Sequence, residues 1–316
     1  GMLRSMRLVT VALTLCFISG CGSSSSDEPR SAPGAPAPSS FDCTAVGPPE
    51  RRTPVPASCA TDRTCTERMV SGHRGTGGEL GALAPENTLS AVRAAIAAGA
   101  DFVETDPRPT KDGVLVNLHD TEVDRTTHGS GVASDMTLGE IQALQIDASN
   151  LAGDFSCDRV PTIHEVLAAA KGRIHVLLDA NKTSRVDLLV QAVHDTDTLD
   201  WAIFDTDDTK KIQDALLLEP ALHTMIRVTD EAEIDAELAL FSAHPPVIVE
   251  IHDGADPKLL APELHAAGHR VLMDVFALDL SAKLAQDAQI YATPFANGVD
   301  VVQTDRPELV AQYLKR

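Results

Sequence analysis

From residue 69 onward, short runs rich in Val, Ile, Leu and Phe alternate with longer stretches whose apolar residues recur every three or four positions. The first pattern is that of strands buried on both faces, the second that of amphipathic helices. The runs fall at residues 70–74, 102–106, 175–179, 202–205, 223–227, 247–251, 271–275 and 299–303. Helical stretches fall at 87–98, 163–170, 185–194, 209–218, 231–241, 257–267, 281–288 and 307–314. Eight strand–helix repeats over about 250 residues predict an α/β fold, a TIM (β/α)8 barrel. One run breaks the alternation. Residues 114–119 follow the second strand after only Lys111-Asp112-Gly113, too short a link for a parallel crossover, so they form the return arm of a hairpin. A hairpin projecting above the barrel would bring His119 back to the level of Glu104 and Asp106.

The chain before the barrel reads differently. Arg4 and Arg7 lead into an apolar stretch at 8–18, the length of a signal-peptide h-region and too short to span a bilayer, which predicts a signal peptide over 1–20. Ile18-Ser19-Gly20-Cys21 resembles the lipobox of bacterial lipoproteins, in which the cysteine is lipidated. Gly22 follows it, and by the sorting rule of Gram-negative lipoproteins this resemblance implies the outer membrane. From residue 22 to about 56, Ser, Pro, Ala and Gly dominate, too little apolar surface to offset ordering entropy. The expected organisation is a signal peptide at 1–20, a lipidated Ser/Pro-rich disordered tether at 21–66 and a barrel domain at 67–316. The protein would be exported and anchored at the periplasmic face of the outer membrane. Cys43, Cys59, Cys65 and Cys157 remain once Cys16 leaves with the signal peptide and Cys21 takes lipid. An even number in an oxidising compartment predicts one or two disulfides, the pairing left open. A zinc site is the competing reading, disfavoured because Cys59 and Cys65 have no matching second pair.

The formal net charge of −20 over 316 residues argues against a nucleic-acid partner, which needs clustered Lys and Arg. An anionic substrate must then be attracted locally, by a metal or a few cations. Candidates for that role gather between Ser71 and Asp120: His73, Arg74, Glu86, Asn87, Glu104, Asp106 and His119. Arginine holds phosphate oxygens through parallel hydrogen bonds, and histidine moves protons near neutral pH. Glu104 and Asp106, two residues apart on a strand, share a face. Barrels keep their chemistry at the C-terminal strand ends, where Asp179, Asp205, Arg227, Glu250, His252, Asp274 and Asp305 also fall. Any one of these is as easily a helix cap or a satisfied rim residue. For His73, Glu104, Asp106 and His119 jointly, that reading requires four ionisable groups to converge by chance, and a metal-assisted phosphodiester site is the better reading.

The order of motifs resembles the glycerophosphodiester phosphodiesterase family. It comprises His73-Arg74-Gly75, Pro85-Glu86-Asn87-Thr88, Gly99-Ala100-Asp101, Glu104-x-Asp106, Thr110-Lys111-Asp112-Gly113, His119-Asp120, Arg125-Thr126-Thr127, Pro161-Thr162-x-x-Glu165-Val166-Leu167, Gly298-Val299-Asp300 and Thr304-Asp305-x-Pro307. The resemblance implies a barrel enzyme that hydrolyses small glycerophosphodiesters to an alcohol and glycerol 3-phosphate, the glycerol 2-hydroxyl attacking phosphorus first and water then opening a cyclic phosphate. His73 and His119 would be the general acid and base, Glu104, Asp106 and Asp179 the ligands of Ca²⁺ or Mg²⁺, and Arg74 and Lys182 the phosphate-binding cations. Glu86 and Asn87 would brace the loop of the first histidine or touch the glycerol hydroxyls. The chain departs from the family pattern in two places. Asp179-Ala180-Asn181-Lys182 stands where Glu-x-Lys is usual, and Met273-Asp274-Val275-Phe276 lacks the usual tryptophan. Two other classes share these features: a barrel phospholipase that acts on intact lipid and stops at a cyclic phosphate, and a lipoprotein that uses the barrel only to bind ligands. The second has no need of two proton-transfer groups facing a metal.

Overall fold

The computed structural model describes residues 34–252 and 254–316. The expected signal peptide, Cys21 and the tether up to residue 33 lie outside the described residues. Ten strands form among the described residues: β1 (Met69–Gly72), β2 (Phe102–Thr105), β3 (Pro107–Pro109), β4 (Leu115–Asn117), β5 (His175–Asp179), β6 (Ala202–Thr206), β7 (His223–Val228), β8 (Ile248–Ile251), β9 (Arg270–Asp274) and β10 (Val301–Thr304). Eight of them close a parallel barrel in the order β1-β2-β5-β6-β7-β8-β9-β10, with β10 returning to β1. Strands β3 and β4 form the expected antiparallel hairpin, pairing Pro107 with Asn117 and Pro109 with Leu115.

The helices are α1 (Leu89–Ala98), α2 (Leu138–Gln142), α3 (Ile163–Ala170), α4 (Val186–Thr196), α5 (Thr209–Leu218), α6 (Ile234–Ala239), α7 (Pro257–Ala266), α8 (Phe276–Ala285), α9 (Ala292–Ala296) and α10 (Pro307–Tyr313). Their starts are written in the sequence. Thr88 caps α1 by accepting the Ala91 N–H, and a reciprocal Thr162/Glu165 box caps α3. Helix α8 begins directly after β9, five residues before the stretch expected from periodicity.

Side chains alternate along each strand, and the barrel interior turns this into two layers. The lower layer is Met69, Phe102, Leu177, Ile203, Met225, Ile248, Leu272 and Val301, one buried apolar cluster. Two positions further along each strand stand Ser71, Glu104, Asp179, Asp205, Arg227, Glu250, Asp274 and Gln303. The residues between them, such as Val103, Phe204, Val249 and Val302, pack into the cluster shared with the helices. One period-two register thus makes an apolar floor with a charged layer directly above it.

The tether expected over 21–66 is corrected from residue 34 on, because this segment is part of the folded body. Phe41 is buried with Leu83, Ala91 and Phe155, and Val55, Cys59 and Ala60 join the apolar floor, closing the barrel from below. Disulfides link Cys43 to Cys157 and Cys59 to Cys65. Thr53 donates to Asp101, and the buried Arg270 guanidinium donates to the Cys59 and Glu67 carbonyls at 2.9 and 2.8 Å. Sparse apolar residues suggested disorder, but cross-links and backbone hydrogen bonds substitute for a large apolar face.

Candidate active site

The site begins where β1 stops. A Cβ on Gly72 would lie 1.8 Å from the Gly75 carbonyl oxygen, and Gly75 takes φ +94°, so this tight turn needs both glycines. His73 and Arg74 therefore stand in the turn, one and two residues beyond β1, rather than within a strand running to 74. Arg74 (φ 50°) and Asn87 (φ 58°) both adopt the left-handed region, costly for side-chain-bearing residues. The cost is met by mutual contacts: the Asn87 N–H donates to the Arg74 carbonyl (2.9 Å) and the Arg74 N–H to Glu104 (2.9 Å).

Each histidine has its own carboxylate. His73 Nδ1 lies 2.7 Å from Asp305, which also accepts the N–H groups of Gly78 and Leu80, and the Phe276 ring packs 4.5 Å from the imidazole. His119 Nδ1 lies 2.7 Å from Asp120. The hairpin delivers His119 as expected, since the Leu118 N–H donates to the Asp106 carbonyl and Arg108 donates to the His119 carbonyl. Burial opposes the charged form of both rings but is outweighed at only one. Asp305 and Glu104 carry His73 above its ordinary value, whereas His119, flanked by Arg74 and Lys182, falls below it.

Arg125 ties the two halves together. It grips Glu86 with two hydrogen bonds of 2.7 Å and Asp120 with two of 2.6 and 3.2 Å, while Glu86 also accepts from Arg74 at 3.0 Å. The Arg125 hydrogen bonds, with that from His119, pull Asp120 down to about 2. Glu86 therefore braces Arg74, and Asn87 braces Asp106 by donating to its carboxylate at 2.7 Å.

Glu104, Asp106 and Asp179 are buried, and one oxygen from each lies within 4.8 Å of the others. Oxygen ligands about 2.4 Å from a shared ion span up to about 4.8 Å across it. Burial and the Asp106 charge push Glu104 up to about 8, a strain that a divalent cation would relieve. The buried Asn87 Oδ1 has no hydrogen-bond partner and is one more hard oxygen beside Asp106. The donors are all oxygen, so the set fits Ca²⁺ or Mg²⁺. Despite its displacement by one position, Lys182 reaches the cluster over the turn Ala180–Lys182, with Nζ 2.7 Å from Asp106 and 2.9 Å from Asp179. The intervening Asn181 accepts from Thr206 and the Asp207 N–H instead. Arg74 Nε is buried with no hydrogen-bond partner, which leaves a donor for a phosphate oxygen.

Arg227 holds the far side of the charged layer, donating twice to Asp205 and lying 3.2 Å from Glu250 and 3.7 Å from Asp179. Burial still pushes Asp205 up to about 6 and carries Glu250 well above its ordinary value. His252, another strand-end candidate, is exposed and pairs with Glu231. The sequence reading gave no site role to Asp305, Asp120, Arg125 or Phe276. The first three stood inside quoted motifs, Asp120 directly after His119 and Asp305 also among the strand-end carboxylates, and that was the available signal. Phe276 left none, because its contact depends on where α8 starts.

Fold and site together define a TIM barrel whose C-terminal face carries a buried carboxylate cluster able to hold a divalent cation, with two carboxylate-backed histidines, arginine and lysine beside it. The model of the glycerophosphoryl diester phosphodiesterase family matches residues 73–309, and the chain belongs to that family. It is 46% identical over 99 residues to a glycerophosphodiester phosphodiesterase of Caldanaerobacter subterraneus, covering 31% of this chain and 38% of that one. It is 38% identical over 149 residues to glycerophosphodiester phosphodiesterase 1 of Bos taurus, covering 46% of this chain and 42% of that one. The matches thus span less than half the length of these curated relatives. Among solved structures, a glycerophosphoryl diester phosphodiesterase of Parabacteroides distasonis shares the fold with a TM-score of 0.70 and 23% identity, over 82% of this chain and 90% of that one. An Oleispira antarctica phosphodiesterase in complex with sn-glycerol-3-phosphate does so with a TM-score of 0.64 and 20% identity, over 81% and 100%.

Proposed function

We propose that this protein hydrolyses small, soluble glycerophosphodiesters to an alcohol and glycerol 3-phosphate, with a divalent cation held by Glu104, Asp106 and Asp179. The observation that carries the reading is the convergence of that carboxylate cluster with His73 and His119, each backed by its own aspartate. Family membership and the product bound by the Oleispira relative support it. When bound, the cation neutralises phosphate charge and acts as a Lewis acid.

The chain's own residues supply the rest. Arg74 binds a non-bridging phosphate oxygen through its Nε, which has no hydrogen-bond partner and lies 3.7 Å from Asp106, and Lys182 offers its ammonium to a second. Burial works against the Lys182 charge, but Asp106 and Asp179 outweigh it and keep the group protonated. His119, the histidine held low, takes the proton of the glycerol 2-hydroxyl as that oxygen attacks phosphorus. His73, the histidine held high, gives its proton to the departing alcohol. The roles then reverse: neutral His73 takes a proton from water as it opens the cyclic phosphate, and His119 returns its proton to the 2-oxygen. We also propose export and anchoring through lipid on Cys21 at the periplasmic face of the outer membrane, supported by the h-region and the small residues before that cysteine.

Phosphorus NMR of the products from glycerophosphocholine and from phosphatidylcholine vesicles tests the activity. Release of glycerol 3-phosphate from the soluble diester, with the lipid untouched, is the expected result. A cyclic phosphate accumulating from the lipid alone would make the protein a phospholipase, and no product from either would make it a binding protein.

A further inference from the structure

Behind Asp305 lies a set of buried polar groups that no step above uses. Asp279, in the first turns of α8, accepts the Tyr291 hydroxyl and the Thr304 hydroxyl on one oxygen, each at 2.6 Å. Its other oxygen accepts the Asp305 backbone N–H at 2.7 Å. Asp279, Tyr291 and Thr304 have no solvent exposure. A buried carboxylate is costly unless fully hydrogen-bonded, and an apolar side chain would join a helix to a strand as well. Two of the three donors, the Thr304 hydroxyl and the Asp305 N–H, belong to the strand end that carries the His73 partner, and Phe276, three residues earlier on the same helix, packs on the His73 ring.

We propose that Asp279 is a positioning residue for the proton donor. By fixing Thr304 and the Asp305 backbone, it holds the Asp305 carboxylate against His73 Nδ1, so that the other ring nitrogen is the one offered to the leaving alcohol. Helix α8 therefore sets the imidazole twice, through the Asp279–Asp305 link behind it and through the Phe276 ring beside it. The inference rests on the acid role proposed for His73.

An acid is needed only when the leaving group is basic, so the test compares two esters of glycerophosphate, one of choline and one of p-nitrophenol, on the full metal-loaded enzyme. Asp279→Asn keeps an acceptor for Tyr291 and Thr304 but turns an amide toward the Asp305 N–H. It should lower kcat on the choline ester by about tenfold or more, leave KM unchanged, and have much less effect on the nitrophenyl ester. Tyr291→Phe removes one donor of three and should show the same bias, more weakly; it decides the matter if Asp279→Asn does not fold. His73→Ala serves as the reference. A bias in His73→Ala with equal losses, or none, on both esters in the Asp279 and Tyr291 variants would overturn this inference alone. No bias in His73→Ala would overturn the acid role and this inference with it.

Discussion

The two layers inside the barrel are separated by two residues along each strand and differ in almost everything else. The floor is an apolar cluster continuous with the N-terminal segment beneath it, and the charged group set against it, the buried Arg270 guanidinium, donates to the Cys59 and Glu67 carbonyls. The layer above crowds Glu104, Asp179, Asp205, Glu250 and Asp274 around Arg227, and burial raises Glu104, Asp205 and Glu250 above the ordinary carboxylate range. Such crowding opposes folding, and it persists because the apolar floor below and the apolar cluster between strands and helices offset it. The lesson is a division of labour: the lower end stabilises, and the upper end stores electrostatic strain that a cation would relieve. Substitutions should therefore separate cleanly, those above costing turnover and those below costing stability.

The largest effects belong to the upper layer. His73→Ala and His119→Ala should each lower kcat by about 10²–10⁴-fold, with melting temperatures close to wild type; near-normal turnover in either variant would remove it from the mechanism. Glu104→Gln should weaken cation binding in calorimetry, yet stabilise the metal-free protein in alkali. Burial and the Asp106 charge push the folded Glu104 carboxyl up to about 8, above the ordinary carboxylate range. A raised folded value contributes stability that is full below the unfolded value and lost as pH rises through the folded one. The amide has no such loss, so metal-free Glu104→Gln should outlast wild type above pH 8 in thermal melts, and an identical pH dependence would contradict the strain argument.

Below, the expected effect is smaller and of the opposite kind. Arg270→Leu leaves the Cys59 and Glu67 carbonyls without their donor, which typically costs about 1–3 kcal/mol and so several degrees of melting temperature. kcat at temperatures where the variant is folded should not change, and a large activity loss would show that the floor does more than support. A chain lacking residues 34–66 should fare worse than one merely starting at residue 34, since it exposes the floor. The smallest effect on chemistry belongs to the anchor. Cys21→Ser should shift the protein from membrane to soluble fractions, because it forfeits about 0.8 kcal/mol per buried CH₂ of each acyl chain, while activity on soluble diester stays level. Membrane association that survives Cys21→Ser would place the anchor elsewhere.

Much of this was legible in the chain because strand periodicity and motif spacing are local signals. The barrel, the hairpin and the convergence of His73, Glu104, Asp106, Asp179 and His119 all follow from short-range patterns. What escaped is non-local or depends on exact element ends. Asp305 meets His73 only when β10 closes against β1, 232 residues away in sequence. Arg125 joins Glu86 and Asp120 across a loop whose course no periodicity describes. Residues 34–66 looked unstructured because their order comes from the disulfides and from contacts with the finished barrel. The start of α8 was misplaced because its N-cap, Val275, makes no side-chain cap hydrogen bond.

The claim that the charged layer is a cation-dependent phosphodiester centre is tested most directly by one titration. Purified protein is stripped with chelator, then supplied with glycerophosphocholine while Ca²⁺ or Mg²⁺ is added back, and glycerol 3-phosphate is measured. The account predicts no release from stripped protein and saturable recovery with added cation, with Glu104→Gln needing more of it. Undiminished release after exhaustive chelation would show that Glu104, Asp106 and Asp179 are structural and would contradict the account.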